Sequence, residues 1–169
     1  MTQHICERLC INTVSSKPSG RIVVRLPFKD DPSYLGASYN TALRRFIAQE
    51  GRLTKSPQLR SQYVEFMNEY EGLGHMSAVE NPNLRNPHYY IPLHCVLKPT
   101  STTTKLRVVF DASCRTTTQK SLNELEMVGP TIQCDLILLR FRLYRFVLTA
   151  DIVKMYRQVL MHEEDRKFQ

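Results

Sequence analysis

Residues 89–112 constrain the fold more than any other stretch of the chain. From Tyr89 to Lys98 the apolar side chains Ile91, Leu93, Cys95 and Leu97 alternate, and from Lys105 to Ala112 Leu106, Val108 and Phe110 do the same. A period of two puts each set on one face of an extended strand. Between the runs lies Pro99-Thr100-Ser101-Thr102-Thr103-Thr104, hydroxyl-rich and without an acid. The pair reads as a β-hairpin with one buried face. Pro92 lacks an amide donor and belongs at an edge or a strand start. The other face of the second arm carries Lys105, Arg107, Val109 and Asp111.

Helical periodicity precedes the hairpin. Ser56-Pro57 opens the clearest helix, with Ser at the N-cap and Pro at the first helical position. Leu59, Tyr63, Phe66, Met67 and Tyr70 then form one apolar stripe, and Gly72 and Gly74 are C-cap candidates. The aromatic stripe reads as core packing in preference to a base-stacking platform, because it occupies the face that a helix buries. Leu43, Phe46 and Ile47 recur at helical spacing within Ser38 to Leu53, with Ser38 or Asn40 as the cap. Arg21 to Leu26 is a short β-rich run closed by Pro27, Pro32 to Gly36 is a turn, and Ser15 to Gly20 is a loop. After Gly129-Pro130, Thr131 can cap a helix striped by Ile132, Leu136, Leu139 and Leu143. Phe146 to Ala150 is a compact apolar strand ending in Asp151. With no βαβ period, internal repeat or Gly-rich phosphate loop, the class is α+β.

The 169 residues are 42% hydrophobic, too apolar for a disordered tail, and no run is long enough to cross a membrane. Residues 1–19 interleave His4, Glu7, Arg8 and Asn12 with apolar residues, so no secretory h-region is expected. The five cysteines are an odd number without framework spacing, which suits a reducing, intracellular compartment and not secretion. The formal charge is +7, and residues 85–169 hold +5 of it. A basic field favours a polyanion such as nucleic acid or a phosphate-bearing substrate, against the plainer reading of a basic soluble domain.

Two residues stand out chemically. Asp151 ends an apolar strand at the rim of a core, where a carboxylate can hold Mg²⁺; a turn or cap role is the competing reading. Arg107 can grip a triphosphate bidentately, with Lys105 or Lys98 as auxiliary charges, or it can form an exposed ion pair with Asp111. The remaining constellations are weaker. His4, Cys6 and Cys10 lack a second ligand pair at zinc spacing. His94 and Cys95 are adjacent on a strand and point to opposite faces, so they do not make a nucleophile pair. Glu163-Glu164-Asp165 reads as an acidic helix N-terminus.

Several successive motifs, in order, resemble the reverse transcriptase of BEL/Pao-type LTR retrotransposons. They are Tyr-Tyr-Ile-Pro-Leu-His-Cys-Val-Leu-Lys-Pro (89–99), Thr-Lys-Leu-Arg-Val-Val-Phe-Asp-Ala-Ser (104–113), Ser-Leu-Asn (121–123), Val-Gly-Pro-Thr-Ile-Gln (128–133) and Leu-Thr-Ala-Asp-Ile-Val-Lys-Met-Tyr-Arg-Gln-Val (148–159). Val-Val-Arg-Leu-Pro-Phe-Lys-Asp (23–30), Ala-Leu-Arg-Arg-Phe (42–46) and Glu-Gly-Leu-Gly-His-Met (71–76) are similar to the lead-in of that polyprotein. The resemblance implies a right-hand polymerase copying RNA into DNA, with the hairpin in the fingers. It also implies Arg107 on the triphosphate of the incoming nucleotide, assisted by Lys98 or Lys105. Asp151 becomes the first metal-binding aspartate of the palm, and Tyr156 the aromatic residue beneath the sugar that excludes a 2′-hydroxyl. The implied cofactor is Mg²⁺ or Mn²⁺. The implied partners are an RNA template, a DNA primer and deoxynucleoside triphosphates, in a cytoplasmic particle or the nucleus, with no membrane.

Two departures qualify the resemblance. Cys134 stands where the family has an acid, and the segment 134–139 looks about two residues short, a rotation of roughly 200° along a helix. No Tyr-x-Asp-Asp is present; Asp30-Asp31 is bracketed by Pro27 and Pro32 and cannot be the middle of a ladder-bonded hairpin. The expectation is therefore a truncated product, inactive alone: a flexible segment (1–19), a mainly helical lead-in (20–87), a fingers-like region (88–145) and the start of a palm (146–169). The alternatives are a non-enzymatic basic nucleic-acid binder and an inert gene fragment.

Overall fold

Helices, short strands and turns follow one another in the computed structural model without a βαβ repeat, which is the α+β class expected. The structure describes residues 2–80, 88–98, 100–101, 106–131, 145–146 and 155–169. In chain order these form α1 (Thr2–Thr13), β1 (Ser15–Ser16), β2 (Ile22–Val24), α2 (Tyr39–Thr54), α3 (Pro57–Gly72), β3 (Leu93–Leu97), β4 (Leu106–Phe110), α4 (Leu122–Leu125) and β5 (Val159–Met161). Short 3₁₀ turns occupy Pro32–Tyr34, Met155–Gln158 and Glu163–Phe168. The helix expected after Thr131 and the strand expected to lead into Asp151 lie outside the described residues.

The chain divides into two compact units, one of Met1–Pro27 with Met127–Glu163, the other of Phe28–Glu126 with Glu164–Gln169. In the first unit β2 pairs in parallel with β5, Ile22 opposite Val159 and Val24 opposite Met161. A pairing between such distant strands leaves no local trace in sequence. On its other edge β2 pairs antiparallel with β1. The Lys17-Pro18-Ser19-Gly20 turn that joins them is closed by the Gly20 amide on the Lys17 carbonyl at 2.8 Å. Gly20 sits at φ +81°, where a side chain would strain the backbone. Residues 2–13 form a helix. No Gly or Pro interrupts them, and the Thr13 hydroxyl closes back on the Leu9 carbonyl at 2.7 Å.

The second unit is built on α2, α3 and the β3–β4 hairpin. Leu93, Cys95 and Leu97 face the same way as their partners Phe110, Val108 and Leu106. This face packs onto the helices: Leu53, Leu59, Cys95 and Leu106 are buried together, flanked by Tyr63, Phe66 and Val108. The α3 stripe is therefore core, extended by Phe66 stacked on Tyr70 and Tyr70 tilted on Phe110, with centroids 5.6 Å apart in each pair. Gly74, at φ +67°, ends α3 in a Schellman motif. The His75 amide bonds the Tyr70 carbonyl at 3.0 Å and the Gly74 amide bonds that of Glu71 at 2.8 Å. Helix α2 forms where expected, yet Leu43, Phe46 and Ile47 remain 39–57% exposed. Its buried positions are Gln49 and Leu53. Ser38 is the N-cap residue of α2, one of the two expected caps, but its hydroxyl makes no cap bond and accepts the Tyr90 amide at 2.8 Å.

A second contact ties the 34–37 loop to the 116–118 loop. The Gly36 amide lies 3.2 and 3.1 Å from the Thr116 and Thr118 hydroxyls, and the Ala37 amide donates to the Thr117 hydroxyl at 2.9 Å. Nearby, α4 is a single turn closed by a capping box between Ser121 and Glu124.

Candidate functional site

Strand β4 owes its extended form to Val108, Val109 and Phe110, which suit a pleated, half-buried surface. Arg107 lies opposite Val96, on the face directed away from Cys95 and Leu106, and is exposed. His94, opposite Val109, shares that outer face. Among the described residues the Arg107 side chain makes no hydrogen bond or ion pair.

The ion pair between Arg107 and Asp111 does not form. Four residues along a strand separate their backbones by about 13 Å. Asp111 is held by α2: Arg45 Nη1 lies 2.6 Å from its Oδ2. The Ser113 hydroxyl and amide donate to Asp111 Oδ1 at 2.5 and 3.2 Å. The Ser113 hydroxyl, followed by Arg45, holds the Asp111 carboxyl below the usual carboxylate range. The bond to Asp111 raises the Arg45 guanidinium further, so both partners stay ionised at neutral pH. Arg45 Nη2 also reaches to 3.4 Å from His94 Nδ1, and Arg52 Nη1 donates to the Cys95 carbonyl at 3.0 Å. Positions 45, 49 and 52 share one helix face, so α2 sets a polar stripe against the hairpin. Sequence periodicity points instead to Leu43, Phe46 and Ile47, so Arg45 and Arg52 emerge only from the structure.

The other expected site residues are dispersed. Lys98 is exposed immediately beyond β3, its carbonyl accepting the Ser101 amide at 3.0 Å. Arg107 and Lys98 thus belong to one hairpin. Tyr156 is 85% exposed on the Met155–Gln158 turn, in the other unit. Asp151 and Lys105 lie outside the described residues. Among the described residues no three His, Cys, Asp or Glu side chains converge as metal ligands.

The rejected constellations have other uses. Asp31 caps the Pro32–Tyr34 turn, accepting the Ser33 amide at 2.8 Å. That bond and a side-chain bond from Ser33 hold its carboxyl below the ordinary range. Cys95 is 2% exposed, and burial pushes its thiol up and away from nucleophilic use, while His94 lies on the opposite face. Glu163 begins a 3₁₀ turn, and Asp165 within it is buried. No helix among the described residues is long and apolar enough to cross a membrane.

No family model matches the chain, and no curated protein or solved structure matches it either.

Proposed function

We propose that residues 88–169 carry the fingers hairpin and the first palm aspartate of a retrotransposon RNA-directed DNA polymerase, behind a lead-in spanning 20–87. Arg107 grips the triphosphate of an incoming deoxynucleotide, with Lys98 or Lys105 beside it. Asp151 takes the position of a ligand to Mg²⁺ or Mn²⁺, and Tyr156 lies beneath the sugar. One observation supports this reading above the others: Arg107 is exposed on the outer face while the acid of its own strand face is occupied by Arg45. An arginine held on a sheet with its donors uncommitted suits bidentate phosphate binding.

These 169 residues contain no Tyr-x-Asp-Asp, and a lone aspartate does not make a two-metal site. We therefore expect the purified polypeptide to bind triphosphate and nucleic acid without joining nucleotides. A primed RNA template, deoxynucleoside triphosphates and Mg²⁺ or Mn²⁺ are expected to give no extension. Incorporation that Asp151→Asn abolishes would overturn the inactivity. A second reading, a non-enzymatic nucleic-acid binder, rests on the +5 carried by residues 85–169. It predicts duplex binding that weakens with salt, at a log–log slope of about −0.9 per phosphate neutralised. In that case Arg107 contributes no more than any other surface cation.

A further inference from the structure

We infer that Arg45 is a positioning residue for the anion-binding face of the hairpin: it neutralises Asp111 and so keeps that carboxylate from opposing an anion at Arg107. The inference rests on the reading of Arg107 given above. Both oxygens of Asp111 are engaged, Oδ2 by Arg45 at 2.6 Å and Oδ1 by the Ser113 hydroxyl and amide. Ser113 contributes no charge, so Arg45 alone among these contacts balances the carboxylate. The same guanidinium approaches His94 Nδ1 at 3.4 Å. His94 is the outer-face neighbour of the Val96–Arg107 pair. One side chain from α2 thereby meets the hairpin's outer-face imidazole and the acid that follows β4.

The electrostatic consequence follows from distance. Asp111 lies four strand residues from Arg107, about 13 Å along the backbone, and a polyphosphate extending from Arg107 comes closer than that. An uncompensated carboxylate there, its side chain 23% exposed, repels each phosphate charge most strongly at low salt, where screening is weakest. Removing Arg45 is expected to weaken polyphosphate binding about three- to tenfold at low salt, through Asp111.

The test titrates the full 169-residue chain with inorganic tripolyphosphate by calorimetry at low salt, with a thermal melt of every variant. Arg45→Ala is expected to bind about three- to tenfold more weakly than wild type. Arg45→Ala/Asp111→Asn, equal in net charge to wild type, is expected to recover binding, and Asp111→Asn alone to bind more tightly than wild type. Arg60→Ala on α3 controls for the loss of one positive charge. The inference is overturned if Arg45→Ala is no weaker than Arg60→Ala, or if Asp111→Asn fails to repair the double variant. Should Arg45→Ala not fold, Asp111→Asn decides, and unchanged affinity in that variant counts against the inference. Arg107→Ala separates the two claims: binding equal to wild type defeats the reading of Arg107, whereas a loss there with no Asp111-dependent rescue defeats only the role of Arg45.

Discussion

The same substitution, glycine to alanine, is expected to have opposite signs at Gly36 and Gly51. A Cβ on Gly36 would collide with the Thr117 hydroxyl and would sit 2.8 Å from the Thr118 amide nitrogen and 2.9 Å from Thr118 Cγ2. The amide is backbone and cannot swing aside, so the 34–37 and 116–118 loops must part. That separation puts at risk the bonds from the Gly36 amide to Thr116 and Thr118, and that from the Ala37 amide to Thr117. It also threatens the bond from the Thr118 hydroxyl to the Tyr34 carbonyl at 2.9 Å. Losing two to four such bonds, at a net worth of about 1 kcal/mol each, amounts to roughly 2–4 kcal/mol. At Gly51, within α2, a Cβ meets nothing within 4 Å. Alanine there removes the entropic cost of a helical glycine and gains about 0.5–1 kcal/mol. Urea unfolding followed by far-ultraviolet circular dichroism measures both, and in a chain of this size each kcal/mol moves the melting temperature by about 2–4 °C. A Gly36→Ala protein within about 0.5 kcal/mol of wild type, or a Gly51→Ala protein less stable than wild type, would refute the reasoning.

Further expectations concern ionisation and thiol access. Asp111 has a lowered carboxyl value, so its contribution is complete at neutral pH and is lost as pH falls below about 4. The stability gap between wild type and Asp111→Asn should narrow on acidification, and a gap that widens would contradict the pairing. Tyr89 is 3% exposed, its hydroxyl donates to the Cys114 carbonyl at 2.6 Å, and burial above all pushes it up to about 12. A raised value means stability held below pH 10 and lost as pH climbs toward 12. Tyr89→Phe should flatten that alkaline loss, measured by urea midpoints across the range. Cys10 is exposed and Cys95 buried, so a thiol reagent should label Cys10 rapidly and Cys95 only as the protein unfolds; rapid labelling of Cys95 would contradict the core.

What the sequence revealed of this fold depended on whether the signal was local. The hairpin faces and α3 were legible because period-two and period-3.6 patterns coincide with buried faces, and because Ser56-Pro57 and Gly74 punctuate α3 chemically. The box between Ser121 and Glu124 was equally local and went unread, since α4 is one turn long and carries no periodicity. Helix α1 carries little periodic signal because Ile5, Leu9 and Ile11 do not line up as one stripe, and Ile11 is 74% exposed. In α2 the apolar stripe located the helix but not its buried side, because Arg45 and Arg52 satisfy hairpin groups that no apolar side chain could. Asp111 illustrates the same limit. The cation that strand periodicity puts on its face, Arg107, is four residues away, whereas its partner lies 66 residues away on α2. The parallel pairing of β2 with β5 has no local signature at all.

The outer face of the hairpin is proposed to bind a triphosphate through Arg107. The most direct measurement is the affinity of wild type and Arg107→Ala for a deoxynucleoside triphosphate at low salt, with Arg60→Ala as the charge control. A charge-assisted arginine–phosphate contact is worth about 1.5–3 kcal/mol, so Arg107→Ala is expected to lose roughly 10- to 150-fold and Arg60→Ala to change little. Equal affinities for the two variants would contradict it.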